Sequence, residues 1–315
     1  MGDNLKFKGA NNIGDVGFSN QLSHNIISFL DWAFLGIGGF SNINVSPSGY
    51  TGPDQSRLRR VNDPYSTFGC VYETFRSNWV YESGVTYGIS PNTYSGVYIN
   101  NQFYDKDTIG QYSHKVNYPF GRITFDTPLS EYSLVQCSYS FKQVKVTSSE
   151  VPWSRTLMFD SLQINNPQFL QQGSGMWNVL SQNRVQLPVV VIDPTTEVNF
   201  SPLEMGGGQY RNQSVMLYVF AEHPSERNNI MDILLNQSEK SILFYDLNSV
   251  IADNKFPLDF NGGIRDGGYL YPDLINNYAK WKCTILRSDV IDIFEDRDIY
   301  RAAVKWLCEV PLCNI

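Results

Sequence analysis

The chain has 315 residues, of which 42% are hydrophobic and 17% are charged, and its formal net charge is −7. This length fits one large domain or two ordinary ones, and the apolar fraction is sufficient for a folded core. The acidic balance argues against a dedicated nucleic-acid-binding protein, which needs a basic face, and the isolated basic run at residues 57–60 is interpreted as a solvated loop.

The first predicted element is an amphipathic helix within residues 20–40. Its apolar residues recur at a spacing of three to four positions and are Leu22, Ile26, Phe29, Leu30, Ala33 and Phe34. Gly36 and the pair Gly38 and Gly39 predict the end of this helix. The polar, turn-rich residues 46–56 that follow are predicted to form a loop.

From about residue 66 the apolar pattern alternates, which predicts short strands in a small sandwich or barrel. Asn100 and Asn101 stand between two strand-like runs and predict a tight hairpin turn. Near Lys142 the apolar face shifts by one residue, which predicts a β-bulge or a strand that changes sheet.

The stretch HKVNYPFGRITFDTPL, residues 114–129, is interpreted as a strand–turn–strand scaffold. Gly121 permits the turn, Ile123 and Phe125 enter a core, and Arg122 faces outward. Arg122 is either a contact to a neighbouring subunit or an ordinary solvated arginine.

Residues 147–154 are polar, contain a proline and follow a finished strand, so they predict a domain boundary. The predicted domains are residues 1–150, with the helix and a sandwich-like sheet, and residues 151–315. In the second domain, apolar runs at 184–193 and 214–222 predict buried strands, and residues 225–237 predict a helix that begins at Pro224.

Further strands are predicted at residues 243–248, 279–287 and 298–310. The side chains expected on shared buried faces of the last two strands are Trp281, Cys283, Ile285, Tyr300, Ala302, Val304, Trp306 and Cys308. The predicted class is therefore α+β, with an N-terminal helix and a small β-sandwich or barrel, then an antiparallel sheet flanked by helices.

Five cysteines, Cys70, Cys137, Cys283, Cys308 and Cys313, are far apart and are interpreted as reduced thiols of a cytosolic assembly compartment. The three histidines lack metal-ligand spacing, so no metal site is predicted. The polar N-terminus does not resemble a signal peptide, and no apolar run is long enough to span a bilayer.

The sequence contains no recognisable catalytic motif, so neither an enzyme nor a cofactor is predicted. Asp193, Glu222 and Asp246 fall at predicted strand ends, where they could be catalytic carboxylates or, alternatively, polar strand ends and helix caps. Two glycine clusters, residues 204–211 and 261–268, lack the lysine and the helix of a phosphate-binding loop.

The glycine clusters are interpreted either as surface loops or as assembly arms. The residues predicted as possible assembly contacts are Gly206, Gly207, Gly208, Arg211, Arg265 and Arg122.

Several phrases resemble neck and head–tail connection proteins of tailed bacteriophages. They are FLDWAFLGIGGFSNI at 29–43, GVYINNQFY at 96–104, NYPFGRITFDTPL at 117–129 and VQCSYSFKQVKV at 135–146. The most specific is NYPFGRITFDTPL, in which a Gly-Arg turn leads into a strand that ends in Asp-x-Pro. From about residue 155, the order of predicted elements is similar to tail-terminator domains, which stack as a ring on the tail tube.

This resemblance implies a structural virion protein that forms a closed ring, often six-fold, at the phage neck or tail end and joins the head to the tail. Its station could be tail terminator, collar or adaptor. The implied partners are further copies of itself, portal or adaptor proteins, and tail tube or sheath proteins, without sequence-specific nucleic-acid binding or a membrane. It would be found in the virion, and in the host cytoplasm during assembly.

Two other hypotheses remain. One is a binding module, such as a tail-fibre or baseplate protein or a carbohydrate binder, in which a surface tryptophan such as Trp79 stacks on a sugar. The other is a cell-wall hydrolase that uses Glu222, a hypothesis that no sequence motif supports.

Overall fold

The computed structural model describes residues 12–47, 54–151, 153–154, 170–171, 185–203, 208–295 and 299–312. The chain divides into two compact units. The terminal unit comprises Met1–Trp32, Lys145–Lys255 and Tyr269–Ile315, and the inserted unit comprises Ala33–Val144 and Phe256–Gly268. The class is mixed α and β, as the alternation of sequence periods predicts.

The two units differ from the predicted division into residues 1–150 and 151–315. The start of the first helix groups with the second half of the chain, because the buried side chain of Asn25 donates to Tyr245 O at 3.1 Å and accepts from Tyr245 N at 2.8 Å. Residues 256–268 return to the inserted unit. The Asn25–Tyr245 contact and the return of residues 256–268 each join distant parts of the sequence, and local patterns cannot reveal such pairings.

The predicted helix is α1, Phe18–Gly36. Its predicted apolar stripe is buried at Leu22, Ile26, Leu30 and Phe34. The predicted end is also confirmed, since Gly39 N donates to Phe34 O at 2.8 Å and Gly38 has a positive φ of 84°.

The inserted unit is built from short strands. They are β1 (Phe40–Ile43), β2 (Arg57–Arg60), β3 (Val71–Glu73), β4 (Gly96–Ile99), β5 (Gln102–Asp105), β6 (His114–Asn117), β7 (Arg122–Phe125), β8 (Val135–Gln136) and β9 (Tyr139–Lys142). Seven of them form an antiparallel sheet in the order β5-β4-β8-β2-β3-β7-β6, and β1 pairs with β9. The run at 57–60, predicted as a loop, is strand β2, because Leu58 is buried between exposed Arg57 and Arg59.

Two turn predictions in this unit are confirmed. Asn100 and Asn101 connect β4 to β5 with positive φ values of 51° and 67°, as the hairpin requires. Gly121 has a φ of 63°, and the next strand, β7, buries Ile123 and Phe125 as expected. Of the loop predicted at residues 46–56, residues 48–53 lie outside the described residues.

The shift of apolar face near Lys142 marks a change of sheet. Strand β9 ends at Lys142 and pairs with β1. The next strand, β10 (Lys145–Ser148), pairs in parallel with β13 (Val189–Leu203) of the terminal unit. The prediction of a strand that changes sheet is therefore confirmed.

The terminal unit contains one six-stranded sheet. The further strands of the terminal unit are β11 (Leu170–Gln171), β12 (Val185–Gln186), β14 (Gly208–Ala221), β15 (Ser241–Tyr245), β16 (Ala279–Glu295) and β17 (Tyr300–Leu312). The sheet order is β10-β13-β14-β17-β16-β15, and every pairing except that of β10 is antiparallel. Strands β11 and β12 pair with each other.

Helices α2 (Pro224–Leu235), α3 (Leu247–Ala252) and α4 (Tyr271–Tyr278) accompany this sheet. The predicted start of α2 at Pro224 is confirmed. Helix α2 is fixed to the sheet where the buried indole of Trp306 donates to Leu234 O at 3.1 Å. The predicted buried face of β17 is confirmed at Ala302, Val304 and Cys308.

Gly121→Ala should destabilise the inserted unit by about 3 kcal/mol, since a left-handed backbone and close packing both oppose a side chain there. A Cβ at this position would lie 2.6 Å from Arg76 O and 2.9 Å from Trp79 Nε1. The measurement is urea unfolding followed by tryptophan fluorescence.

The matched control is Gly84→Ala, where φ is 82° but nothing lies within 4 Å of the added Cβ. It should cost only the backbone strain, about 1 kcal/mol. Equal losses in the two variants would contradict the packing argument.

Lys145→Met should stabilise the terminal unit by about 2 kcal/mol at neutral pH, because burial disfavours the charged amine. The Lys145 ammonium lies 4.9 Å from the centre of the Trp153 ring, and burial lowers the pKa of Lys145 from 10.5 to about 8. The unfolded chain therefore binds more protons in this interval, so the lysine's contribution to stability rises from about pH 8 toward pH 10.5. Urea midpoints across this range should converge for the two proteins.

Lys282→Met, at an exposed position on β16, is the control and should leave the urea midpoint at neutral pH unchanged. A parallel pH dependence in the wild type and Lys145→Met would refute the assignment to this amine.

Candidate assembly surface

The turn between β6 and β7 contacts the second glycine cluster. The Asn117 side chain donates from Nδ2 to Asn261 O at 2.6 Å and accepts from Phe120 N at 3.0 Å. Tyr118 N donates to Gly262 O at 2.9 Å. Residues 117–122 and 257–268 therefore form one surface of the inserted unit, which we call the turn–loop surface.

The loop in this surface is fixed by its own hydrogen bonds. The Asp259 carboxylate accepts from Asn261 N at 2.8 Å and from Gly263 N at 3.0 Å. Its base closes where Arg265 N donates to Pro257 O at 2.9 Å. Gly262, at φ 78°, approaches the Asn117 amide too closely for a side chain, so the glycine meets a steric requirement.

The turn–loop surface exposes apolar side chains on this hydrogen-bonded backbone. Phe260 is fully exposed, Phe120 is 54% exposed and Ile264 is 58% exposed. Large apolar groups close together on a protein surface are typical of sites where another molecule binds. Aromatic rings on a fixed backbone lose little conformational entropy when they are covered, which favours their use in contacts.

Arg122 lies at the edge of this surface but is not a solvated arginine, so that interpretation is wrong. Its Nε is 2.6 Å from Glu73 Oε2, its Nη1 is 3.4 Å from Asp63 Oδ2, and its side chain is only 15% exposed. The guanidinium also lies 5.0 Å from the centre of the Phe120 ring. The alternation along β7 correctly separates Arg122 from Ile123, but the cross-strand partner Glu73 on β3 covers the charge.

The remaining predicted contact residues divide between the two units. Arg265 lies in the turn–loop surface with Arg122, whereas Gly208 begins β14 and Arg211 follows on the same strand of the terminal unit. Gly206 and Gly207 lie outside the described residues. Arg122 and Arg265 thus lie in the inserted unit, whereas Arg211 lies in the terminal unit.

Arg211 joins β14 to the start of α1. Its guanidinium lies 4.5 Å from the centre of the Phe18 ring and donates to Ser19 Oγ at 3.0 Å and Gln213 Oε1 at 2.9 Å. Burial lowers the pKa of Arg211 from its ordinary value. These contacts within the chain give this arginine a structural role.

The three candidate carboxylates do not form a catalytic pair. Asp246 caps α3, since it accepts from Asn248 N at 3.3 Å and Ser249 Oγ at 3.0 Å. Asp193 accepts from Ser149 Oγ at 2.6 Å and lies opposite Met216 on β14. Glu222 follows the end of β14, roughly 20 Å along the strand from that point.

Trp79 is buried, so its proposed role as a surface sugar-stacking residue is wrong. It is 1% exposed, and its ring stacks on Tyr139 at a centroid distance of 4.6 Å and on Tyr94 at 5.8 Å. Its indole N–H donates to Thr74 Oγ1 at 3.0 Å. Trp79 therefore organises the aromatic core of the inserted unit.

The predicted burial of Cys283 and Cys308 is confirmed, and Cys70 and Cys137 are buried as well. All are free thiols, and burial raises the pKa of Cys137 well above its ordinary value. Cys313 lies outside the described residues. Within the described ranges, no group of three or more histidine, cysteine or acidic side chains could hold a metal ion.

Two features were missed from the sequence. One is the buried ion pair in which Lys142 Nζ lies 2.5 Å from Glu82 Oε1. The other is the pair of exposed phenylalanines, for which a signal exists: Phe120 stands between Pro119 and Gly121, and Phe260 precedes an Asn-Gly-Gly turn. An aromatic residue inside a turn signal has no strand face on which to be buried.

No protein-family model matches the chain, and no curated protein sequence matches it. No helix in the described part of the chain is long and apolar enough to cross a membrane.

Arg122→Met should destabilise the inserted unit by about 3 kcal/mol, because it removes the guanidinium that lies 2.6 Å from the largely buried Glu73 carboxylate. The control is Lys280→Met, which removes a 2.8 Å pair with Asp246 from a lysine that is 37% exposed. The control should cost less than about 1 kcal/mol. Chemical unfolding of both variants tests the difference, and a loss below about 1 kcal/mol for Arg122→Met would show that the pair contributes little.

Proposed function

We propose that this chain is a structural virion subunit that forms a ring at the neck or tail end of a tailed bacteriophage and joins the head to the tail. The observation that carries the proposal is the turn–loop surface, where Phe120 and Phe260 are exposed on a backbone fixed by hydrogen bonds. The sequence resemblance lies in the same place, since the NYPFGRITFDTPL phrase contains Phe120.

Ring subunits bind identical neighbours through fixed surfaces, and a few aromatic side chains supply most of the energy of such contacts. Phe260 and Phe120 have the chemistry of these anchoring residues. The low fraction of charged residues in the chain, 17%, also suits surfaces that become covered on assembly.

We include in this proposal the predicted architecture, which is a sandwich-like first half and a tail-terminator-like second half. The station would be tail terminator, collar or adaptor, with portal or adaptor proteins on one side and tail tube or sheath proteins on the other. The subunit would have no catalytic role and no cofactor, and it would be found in the virion after assembly in the host cytoplasm.

Quantitative mass spectrometry of purified particles from the source culture tests the proposal by counting this chain against the major capsid protein. We expect about six to twelve copies per particle, as one or two cyclic rings would give. Hundreds of copies would indicate a capsid-decorating or tube protein. Complete absence of the chain from particles would refute the virion assignment.

The double variant Phe120→Ser, Phe260→Ser should reduce incorporation into particles by about tenfold or more, because two aromatic contacts are lost. Its folding should be unchanged, since both rings are exposed. The control Ile109→Ser removes an exposed apolar side chain of the inserted unit outside residues 117–122 and 257–268 and should be incorporated normally. Equal incorporation of all three proteins would exclude this surface as the assembly contact.

A second candidate is a binding module of a tail fibre or baseplate, or a carbohydrate binder. The observation that favours it is the nearly complete exposure of Tyr65 and Tyr132, whose rings could stack on a sugar. A free carbohydrate-binding module becomes the leading candidate if particles contain none of the chain.

A further inference from the structure

The aromatic core of the inserted unit places three tyrosine rings against Trp79. The Trp79 ring stacks on Tyr139 at a centroid distance of 4.6 Å and on Tyr94 at 5.8 Å, with interplanar angles of 21° and 26°. Tyr118 meets it edge-on at 6.3 Å. All four rings are buried. Indole and phenol rings can each lose one electron to a strong oxidant, and rings in contact can exchange that electron.

The hydrogen bonds of Trp79 do not provide a base for its proton. Its indole N–H donates to Thr74 Oγ1 and to Arg76 O, both at 3.0 Å. A hydroxyl and a carbonyl oxygen accept hydrogen bonds, but neither takes up a proton near neutral pH. Loss of an electron would therefore leave a positive charge on a buried indole ring, which is unfavourable in an apolar core. An electron from a neighbouring ring removes that charge.

Tyr94 differs from the other two tyrosines because its hydroxyl is bonded to a base. The hydroxyl oxygen of Tyr94 lies 2.7 Å from His114 Nε2, and His114 Nδ1 lies 2.8 Å from Tyr112 O. Because a carbonyl oxygen only accepts, Nδ1 carries the ring proton. In the neutral imidazole, Nε2 then has the lone pair that accepts from the Tyr94 hydroxyl. Both side chains of this pair are buried.

The base matters because a phenol is difficult to oxidise unless its proton leaves together with the electron. Burial raises the pKa of Tyr94 well above its ordinary value, so the hydroxyl keeps its proton until oxidation. Tyr139 has no base beside it, since its hydroxyl donates to Gln55 O at 3.0 Å. Within the described ranges, Tyr118 donates to no imidazole or carboxylate. Of the three tyrosines, Tyr94 is therefore the one that can be oxidised most easily.

We propose that Trp79, Tyr94 and His114 form an oxidation relay, which gives one electron to a radical oxidant and leaves the loss on Tyr94. A one-electron oxidant such as the carbonate radical anion takes an electron from Trp79 and becomes carbonate. Tyr94 then returns an electron to Trp79 while its hydroxyl proton moves to His114 Nε2. The O–H bond breaks and an N–H bond forms, so Tyr94 becomes a neutral radical and His114 an imidazolium.

The relay spares the tryptophan that organises this core. A one-electron reductant such as ascorbate can return an electron to the Tyr94 radical, and His114 then returns the proton. Trp79 and Tyr94 are restored, so the ring on which Tyr94 and Tyr139 stack is kept. The relay lies within the inserted unit and does not depend on the proposed function or on the turn–loop surface.

A laser flash that ejects an electron from tryptophan tests the relay in the purified full chain, with dissolved oxygen as the acceptor of the ejected electron. Transient absorption follows the indole and tyrosyl radicals at about pH 8, where an ordinary histidine is neutral. In the wild type, the indole radical should decay as a tyrosyl radical appears. Tyr94→Phe should remove most of the tyrosyl signal and prolong the indole radical.

The matched control is Tyr139→Phe. It removes the hydroxyl of the ring whose centre lies nearer to Trp79 but whose hydroxyl lacks a base, so its tyrosyl signal should match that of the wild type. Loss of the same size in Tyr94→Phe and Tyr139→Phe would overturn the proposal, because ring contact alone would then decide. Equal signals in the wild type and Tyr94→Phe would overturn it as well.

Two measurements test the role of His114. His114→Gln keeps a side chain that accepts a hydrogen bond but removes the base, so it should slow formation of the tyrosyl radical by about a hundredfold, a typical contribution of a positioned base. In heavy water the wild type should also form the radical more slowly, because a proton moves with the electron. The second measurement needs no variant, and an unchanged rate in heavy water would overturn the proton transfer.

The protective effect has its own readout. The wild type, Tyr94→Phe and Tyr139→Phe are exposed to carbonate radicals in the presence of ascorbate, and mass spectrometry measures oxidation at Trp79. Tyr94→Phe should show more oxidation at Trp79 than the other two proteins, and equal oxidation in all three would overturn the protective effect. Circular dichroism verifies the folding of each variant. These outcomes are independent of whether particles contain the chain.

Discussion

Strand edges impose the constraint on which the rest of this structure depends. Every backbone N–H and C=O removed from water needs a partner, and a sheet of finite width must satisfy this at both sides. At the β15 side the chain uses side chains of α1. Asn25, which is fully buried, makes both hydrogen bonds to Tyr245 that a neighbouring strand would make, and Gln21 accepts from Leu247 N at 3.2 Å.

Because side chains of α1 take the place of a neighbouring strand, the start of this helix belongs to the terminal unit although its sequence precedes the inserted unit. The apolar stripe of the helix supplies burial, and its amides supply the directional bonds at the strand end. The same constraint distinguishes the two parts of β16. Beyond Ile285, β16 pairs only with β17 among the described strands, and Leu286, Val290, Ile291 and Ile293 are exposed.

The sequence predicts local features well because they rest on short-range physics. The stripe of α1, the Asn100–Asn101 hairpin, the turn at Gly121 and the change of sheet after Lys142 each need only a few neighbouring residues. The misplaced features depend on distant partners. Arg122 is covered by Glu73 across a strand pair, Trp79 is buried by rings far along the chain, and the glycine loop docks on a turn more than a hundred residues earlier. The candidate surface was thus visible as two separate turn signals, and only the fold could join them.

The position of β17 has a consequence for folding during synthesis. This last described strand lies between β14 and β16, near the middle of its sheet. On a ribosome the terminal unit therefore remains in two parts, β13 with β14 and β15 with β16, until residues 300–312 emerge. The inserted unit must likewise wait for residues 256–268 before its turn is covered. The pair of β13 and β14 is complete at Ala221 and lacks its neighbour until β17 emerges, so the nascent chain's demand for chaperones should be greatest just before β17 is complete.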